Sequence, residues 1–331
     1  MTIRSCVAAL IACCGSTAMG AEIVVRADKP GPAVSPTLYG AFFEDINRAG
    51  DGGIYGEMLQ NRSFEDATVP LGWTLRNEGD PAAEMKLAKD APINPRNPTQ
   101  LKVTVTKAGA GVVVFNEGFK GTSLQGKAPT DAAVAKWVAD SAAAARRSTE
   151  GLHIQDGKEY DLSIYLRSDK IGMVQFTLEQ ANGRDLASGV ATGVTDQWKK
   201  FDVKIVARGA DSNARFTINL DSPGTLWIDM ASLFPRDTFK NRPNGMRADL
   251  VQMMADMHPG LLRFPGGSFS EGAVLADAWR WKETIGDIAQ RGSNWNIWGY
   301  RTSNGIGFHE YLQLAEDLHA APLFVAHVGM A

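Results

Sequence analysis

The sequence predicts an α/β plus all-β chain: an incomplete (β/α)8 TIM barrel, represented by its first three strands, with an antiparallel β-sandwich inserted after the first of them. Three observations carry this prediction. An apolar segment, Thr37–Phe43, ends on Glu44-Asp45 and opens into a loop with Gly50, Gly52, Gly53 and Gly56. Residues 71–235 then change to short segments with strict alternation of apolar and polar side chains, the pattern of half-buried antiparallel strands. After Arg236 the order becomes helix, strand, helix, strand, which is the signature of βαβ units around a parallel sheet.

Taken along the chain, residues 1–20 carry one positive charge (Arg4), a short apolar run Val7–Ala12 and small residues at Ala18, Gly20 and Ala21. This reads as an export signal cut at Ala18-Met19-Gly20 or one residue later. Leu10-Ile11-Ala12-Cys13 also resembles a lipobox, in which Cys13 would become a lipidated N-terminus. Simple export is preferred because small residues suited to ordinary cleavage follow. Residues 21–70 hold a short strand over Glu22–Val25, the turn Lys29-Pro30-Gly31-Pro32, and the first barrel strand with its loop. In the sandwich, residues 71–235, the alternating segments are Gln100–Thr106, Gly111–Phe115, Tyr160–Arg167, Met173–Glu179, Trp198–Ile205, Ala214–Leu220 and Thr225–Leu233. Turn residues such as Asn182-Gly183 separate them, and an alanine-rich stretch, Thr130–Arg147, reads as a helix with Val134, Trp137 and Val138 on one face. Residues 236–331 begin the barrel: a helix over Asn244–Met257, a strand over Leu261–Phe264, a helix over Phe308–Leu318 and a strand over Pro322–Val328. Three such strands do not close an eight-stranded barrel, so the sequence reads as truncated after strand three.

Composition narrows the function. With 34 Lys+Arg against 37 Asp+Glu the net charge is −3, and no block of like charge marks a nucleic-acid surface. No apolar run beyond the first residues approaches the roughly 20 needed to span a bilayer. All 3 cysteines, Cys6, Cys13 and Cys14, lie in the signal, which removes disulfides and thiolate chemistry from the folded part. The 5 histidines, His153, His258, His309, His319 and His327, show no HExxH spacing, so no metal or cofactor is expected.

Polar groups at strand C-termini are where a (β/α)8 barrel keeps its active site. Three such ends are visible: Glu44-Asp45, Arg263 through Ser268, and His327-Val328-Gly329. Glu44 and Arg263 at adjacent strand ends either bind sugar hydroxyls through charge-assisted hydrogen bonds or pair with each other to tie two strands together. Gly266-Gly267 lets the backbone turn sharply at the pocket floor. Neither a P-loop nor a complete GxGxxG is present, and Ser268 and Ser270 lack the nucleophile-elbow context. Four of the 8 tryptophans, Trp279, Trp281, Trp295 and Trp298, fall in one loop. Most are expected to pack that loop, with Trp281 the first choice for a ring facing sugar. Trp73, Trp198 and Trp227 of the sandwich are expected in its core.

Seven stretches, in order, resemble one family: Leu38–Asn47, Gly52–Glu57, Gln60–Glu65, Leu233–Phe239, Leu262–Gly267, Trp281–Gly286 and Gly307–Leu312. They are similar to the glycoside hydrolase family 51 α-L-arabinofuranosidases. The inserted sandwich resembles a carbohydrate-binding module of the 4/9 type, a jelly-roll. The resemblance implies a barrel followed by a C-terminal β-sandwich, and retaining hydrolysis of terminal α-L-arabinofuranosyl residues by two glutamates on strands four and seven. Neither glutamate is in this sequence, so no catalytic residue is assigned. What carries over is a substrate-binding floor: Glu44 to arabinose hydroxyls, Arg263 to position pocket groups, Ser268 as a further contact and Trp281 at the wall. Ser268 stands where the family commonly has Cys or Asn, and Asp287 where it has Pro. The resemblance implies an enzyme acting on arabinose-containing polysaccharides or oligosaccharides, and the N-terminal signal implies that it is exported (periplasmic or extracellular). The given chain is expected to be inactive. Glycan binding by the sandwich alone and a barrel glycosidase of other sugar specificity stay open as alternatives.

Overall fold

The computed structural model describes residues 23–80, 82–109, 111–121 and 150–329. The expected signal and its cysteines, and the alanine-rich helix over Thr130–Arg147, lie outside the described residues. The chain divides after Pro36 into two units. In the first, residues 23–36 form turns; the strand expected over Glu22–Val25 is absent at 23–25, where Ile23, Val24 and Val25 are all exposed and find no partner strand.

The second unit begins with a two-residue strand β1 (Ala41–Phe42). Strands β2 (Trp73–Glu78), β3 (Ala82–Ala88), β4 (Gln100–Lys107), β5 (Gly111–Asn116) and β6 (Leu152–Ile154) follow. Next come β7 (Glu159–Ser168), β8 (Met173–Glu179), β9 (Asp185–Thr192), β10 (Lys199–Val206), β11 (Asp211–Leu220) and β12 (Gly224–Pro235). Helix α1 (Ala248–Asp256), β13 (Leu261–Phe264), the short helix α2 (Ser268–Glu271), the hairpin β14 (Asn294–Asn296) and β15 (Tyr300–Thr302), helix α3 (Phe308–Asp317) and β16 (Ala321–Phe324) complete it.

Strands β2–β12 form two antiparallel sheets, ordered β10-β7-β12-β4-β3 and β2-β5-β11-β8-β9 with β6 on β11. They share one apolar core: Leu101, Leu162, Ile164, Leu226 and Ile228 of the first sheet meet Val112, Val114, Phe176, Phe216 and Ile218 of the second, all fully or nearly fully buried. Alternation along β7 is complete, every second residue from Tyr160 to Ser168 being buried, because only one sheet face meets the core. Trp73 sits in this core as expected, but Trp227 and Trp198 do not. Trp227 lies in register with Arg167 on the opposite face, where the Arg167 guanidinium is 4.0 Å from the Trp227 ring and 5.2 Å from that of Trp198.

The remaining elements build a parallel sheet ordered β1-β13-β16. Ala41 and Phe42 face Leu262 and Arg263, and Leu261–Phe264 face Ala321–Phe324. The first strand is shorter than the expected Thr37–Phe43, since Leu38 and Tyr39 are exposed and only one edge has a partner. The last strand stops at Phe324 and not Val328 because its partner β13 ends at Phe264; one further bond, Val325 N–H to the Phe264 carbonyl, continues the ladder. One face is covered: Phe43, Leu262 and Phe264 pack against Val251 of α1 and Tyr311 and Leu314 of α3. Helix α1 is shorter than Asn244–Met257, and Met257 is outside it and exposed. The other face carries Phe42 at 53% exposure, Leu323 at 43% and the half-buried Arg263, so within these residues the parallel sheet is covered on one side.

Two polar seams join the sandwich to the parallel sheet and its loops. In the first, the buried Glu57 accepts from the Leu59 and Leu233 amides at 3.0 and 2.9 Å and from the Ser232 hydroxyl, and pairs with the buried Arg62 at 3.5 Å. Arg62 donates to Ser303 Oγ at 3.1 Å, and Ser303 in turn donates to Asp51 at 2.9 Å. In the second, Asn94 donates to the Ala289 carbonyl at 3.2 Å and Asn97 to that of Arg291 at 2.6 Å. The sequence stretches around Glu57 and Arg62, which carried much of the resemblance, are therefore junction residues. Asn61 within them is buried and donates to the Leu71 carbonyl at 2.9 Å.

Beside the first seam, Asp66 shares a small recess with Arg48, Asp51 and Arg301. Burial is the largest influence on its carboxyl, which is pushed up to about 6, with Arg48 opposing and Asp51 adding to the rise. A raised carboxyl is most stabilising while protonated. The contribution is therefore full below the ordinary value of 3.8 and is lost as pH rises through about 6. Asp66→Asn should leave stability unchanged at pH 4 and raise it by about 1 kcal/mol at pH 7.5, the roughly 3 kcal/mol implied by the shift being reduced by partial access to water. Urea melts at the two pH values check this; an equal effect at both would contradict it.

Candidate active site

The parallel register aligns the C-terminal ends of the three strands. At the first, the Phe43 amide bonds the Arg263 carbonyl at 2.8 Å and delivers Glu44 to the turn after β13. There Glu44 Oε1 accepts from the amides of Gly267 and Phe269, both at 2.9 Å, at the start of α2. The first amides of a helix have no partner within it, and they suit a carboxylate. Among the described residues Oε2 accepts no hydrogen bond, so one oxygen anchors the side chain and the other is free for a ligand.

Gly266 makes this approach possible. Its φ is +156°, and a Cβ there would lie 2.6 Å from Glu44 Cγ. Gly267 is different: its φ is −118° and a Cβ would meet only Arg263 Nη2, at 3.5 Å. The paired glycines are thus not equivalent, a distinction that the dipeptide itself cannot reveal.

The alternative in which Glu44 and Arg263 pair with each other is not realised among the described residues. The Arg263 guanidinium lies 4.3 Å from the ring centroid of Phe42, its register partner on the open face of the sheet, and enters no ion pair there. Ser268, the first residue of α2, is exposed. Trp281 begins a 3-10 turn, Trp281–Thr284, and is half-buried; its ring packs 4.9 Å from Phe308 and 6.4 Å from Phe324. The structure therefore brings Glu44, Arg263 and Ser268 to two adjacent strand ends, and sets Trp281 beside the end of the third through Phe324. Trp279 and Trp295 are buried, Trp279 donating to Asn304 at 3.0 Å, as expected for rings that pack the loop.

Asp45 was not singled out as anything but the neighbour of Glu44, yet it holds that strand end in place. It is buried; its carboxylate accepts from the Gly50 amide and the Tyr300 hydroxyl, both at 2.9 Å, and its carbonyl accepts from Asn296 at 2.7 Å. Burial pushes its carboxyl up, Asp51 adds to this, and the Gly50 amide and Tyr300 hydroxyl oppose it. The β14–β15 hairpin supplies both clamps. A pair of acidic residues after an apolar strand gives no signal of which one turns inward.

The family described as the alpha-L-arabinofuranosidase 1 domain matches residues 253–331. The chain is 33% identical over 321 residues to the extracellular exo-alpha-L-arabinofuranosidase of Streptomyces chartreusis, covering 91% of this chain and 34% of that protein. It is 34% identical over 314 residues to alpha-L-arabinofuranosidase 1 of Arabidopsis thaliana, covering 91% and 42%. Among solved structures, arabinose-bound MgGH51 α-L-arabinofuranosidase superposes with a TM-score of 0.76 at 31% identity, covering 92% of this chain and 46% of that one. The chain thus spans less than half the length of these relatives.

Proposed function

We propose, from the premise that the chain belongs to the glycoside hydrolase family 51 α-L-arabinofuranosidases, that the protein of which it forms part removes terminal α-L-arabinofuranosyl residues from arabinose-containing glycans. We read it as an exported, retaining enzyme. The observation that carries the reading is Glu44: one oxygen fixed by two backbone amides at a strand C-terminus, the other free to accept from sugar hydroxyls. In this reading Arg263 positions groups on the pocket floor, Ser268 is a further contact and Trp281 forms a wall.

In this reading, as the family resemblance implies, the acid/base and nucleophile glutamates are carried by barrel strands four and seven, and the three parallel strands described here carry neither. In a retaining mechanism one carboxylic acid protonates the leaving oxygen while the other attacks the anomeric carbon, the two about 5–5.5 Å apart. The floor built here would hold the furanose between them. The open face of the parallel sheet supports an incomplete barrel, since parallel sheets are ordinarily covered on both faces. We read the two-sheet unit as an inserted jelly-roll of the carbohydrate-binding 4/9 type. Its outer aromatic surface is occupied by its own Arg167, which also donates to Asp90 at 2.8 Å.

The test is hydrolysis of p-nitrophenyl α-L-arabinofuranoside. The full-length protein should release arabinose with retention at the anomeric carbon, followed by NMR of the first-formed sugar, and the 331-residue chain should release none. Release by the 331-residue chain, or an inverted product, would overturn the reading.

A further inference from the structure

A second cavity lies at the junction of the two sheet systems, away from the strand ends. It has a volume of about 320 Å³. Its walls come from the outer face of the five-stranded sheet (Ser163, Tyr165 and Lys200), from the turn before α1 (Phe239, Arg242, Asn244), from residues 286–289, and from α3 (Glu310, Gln313, Asp317). None of Glu44, Arg263, Ser268 or Trp281 lines it. The size falls at the lower end of ligand cavities, and domain junctions are a preferred place for them.

The lining decides what could enter. Most of its strong charges are already matched. Arg242 forms a fork with Asp317, both bonds at 2.7 Å. Arg291 does the same with Glu310 at 2.9 and 2.8 Å. Lys200 pairs with Asp202 at 3.2 Å, and Asp287 caps its own turn by accepting from the Ala289 amide at 2.8 Å. Both arginines are thus already held by carboxylates, and Asp287 is left as the lining carboxylate without a cationic partner among the described residues. By contrast, the side chains of Ser163, Tyr165, Asn244 and Gln313 line the same space and have no hydrogen-bond partner among the described residues. Neutral donors and acceptors around an aromatic face are the complement of a neutral polyhydroxylated ring.

We propose that this cavity is a second, non-catalytic binding site for a neutral saccharide of one or two rings, with Tyr165 as its stacking face and Ser163, Asn244 and Gln313 as hydroxyl partners. It is independent of the strand-end site and does not require that site to bind arabinose.

The test is calorimetric titration of the full-length protein with L-arabinose, D-xylose and xylobiose, with inorganic phosphate and spermidine as charged controls. Glu44→Gln silences the strand-end site, so a saccharide should still bind that variant with one equivalent. Tyr165→Ala should weaken this binding about tenfold, the order of one lost aromatic contact. Ser163→Trp, which fills the cavity, should abolish it. Neither junction substitution should change hydrolysis of p-nitrophenyl α-L-arabinofuranoside more than about twofold, which shows that both variants are folded. Loss of all saccharide binding in Glu44→Gln, binding indifferent to Tyr165→Ala, or tighter binding of phosphate or spermidine than of sugar would overturn the proposal.

Discussion

On the proposed function, Gly266→Ala should lower kcat/KM of the full-length protein on p-nitrophenyl α-L-arabinofuranoside by about 100-fold, while Gly267→Ala leaves it within about threefold. The contrast follows from the geometry around Glu44. At 266 the backbone has φ +156° and the new methyl would lie 2.6 Å from Glu44 Cγ, so either the turn or the glutamate must move. If the glutamate moves, it gives up two hydrogen bonds to backbone amides. A displacement of about 1 Å in a positioning group is enough for a loss of this size. At 267 φ is negative, −118°, and the nearest atom to an added methyl is 3.5 Å away, so it meets no clash. The same strain at 266 should cost about 2 kcal/mol of stability, read as a lowered melting temperature. Equal kinetic effects at the two positions would mean that the approach of Glu44 to the turn has no role.

Glu57→Ala should destabilise the protein by about 3–5 kcal/mol, measured as a shifted urea midpoint, against less than about 0.5 kcal/mol for the exposed Glu84→Ala. Glu57 is buried and serves four partners at once: the Leu59 and Leu233 amides, the Ser232 hydroxyl and Arg62. Burial pushes its carboxyl up and Arg62 is the largest opposing influence. Truncating it leaves a buried guanidinium without its counter-charge and two buried amides without an acceptor, which is far more costly than the pair is worth. Glu84 pairs with Lys86 at 3.0 Å, but both side chains are more than half exposed, so water replaces the contact at little cost. A loss below about 1 kcal/mol at Glu57 would show that the seam does not hold the sandwich to the rest.

Where one face met a core and the other met water, the sequence was easy to read. The alternation over Tyr160–Arg167 falls within β7, where every second residue is buried, and the segments Met173–Glu179 and Leu261–Phe264 match β8 and β13 to the residue. Strands β3 and β9 carry no clear signal because their alanines, glycine and serine blur the contrast, β2 because only Trp73 of it is buried, and β6, β14 and β15 because each is only 3 residues long. The ends of β1 and β16 were overestimated because a strand ends where its partner ends, which is information held by another part of the chain. The site divided in the same way. Glu44 and Arg263 were legible from their place after apolar strands. The free oxygen of Glu44, the different duties of Gly266 and Gly267, and the clamp of Tyr300 on Asp45 depend on contacts more than two hundred residues apart for Glu44 and Asp45. The density of tryptophans between Trp279 and Trp298 reflected packing more than recognition, since two of the four are buried.

On the proposed function, Glu44 Oε2 is a sugar acceptor on the pocket floor. This role is tested most directly by the crystal structure of the full-length protein soaked with L-arabinose. A furanose hydroxyl should lie within hydrogen-bond distance of Glu44 Oε2, with Oε1 still held by the Gly267 and Phe269 amides. Arabinose bound elsewhere, with Glu44 Oε2 turned instead onto Arg263, would contradict it.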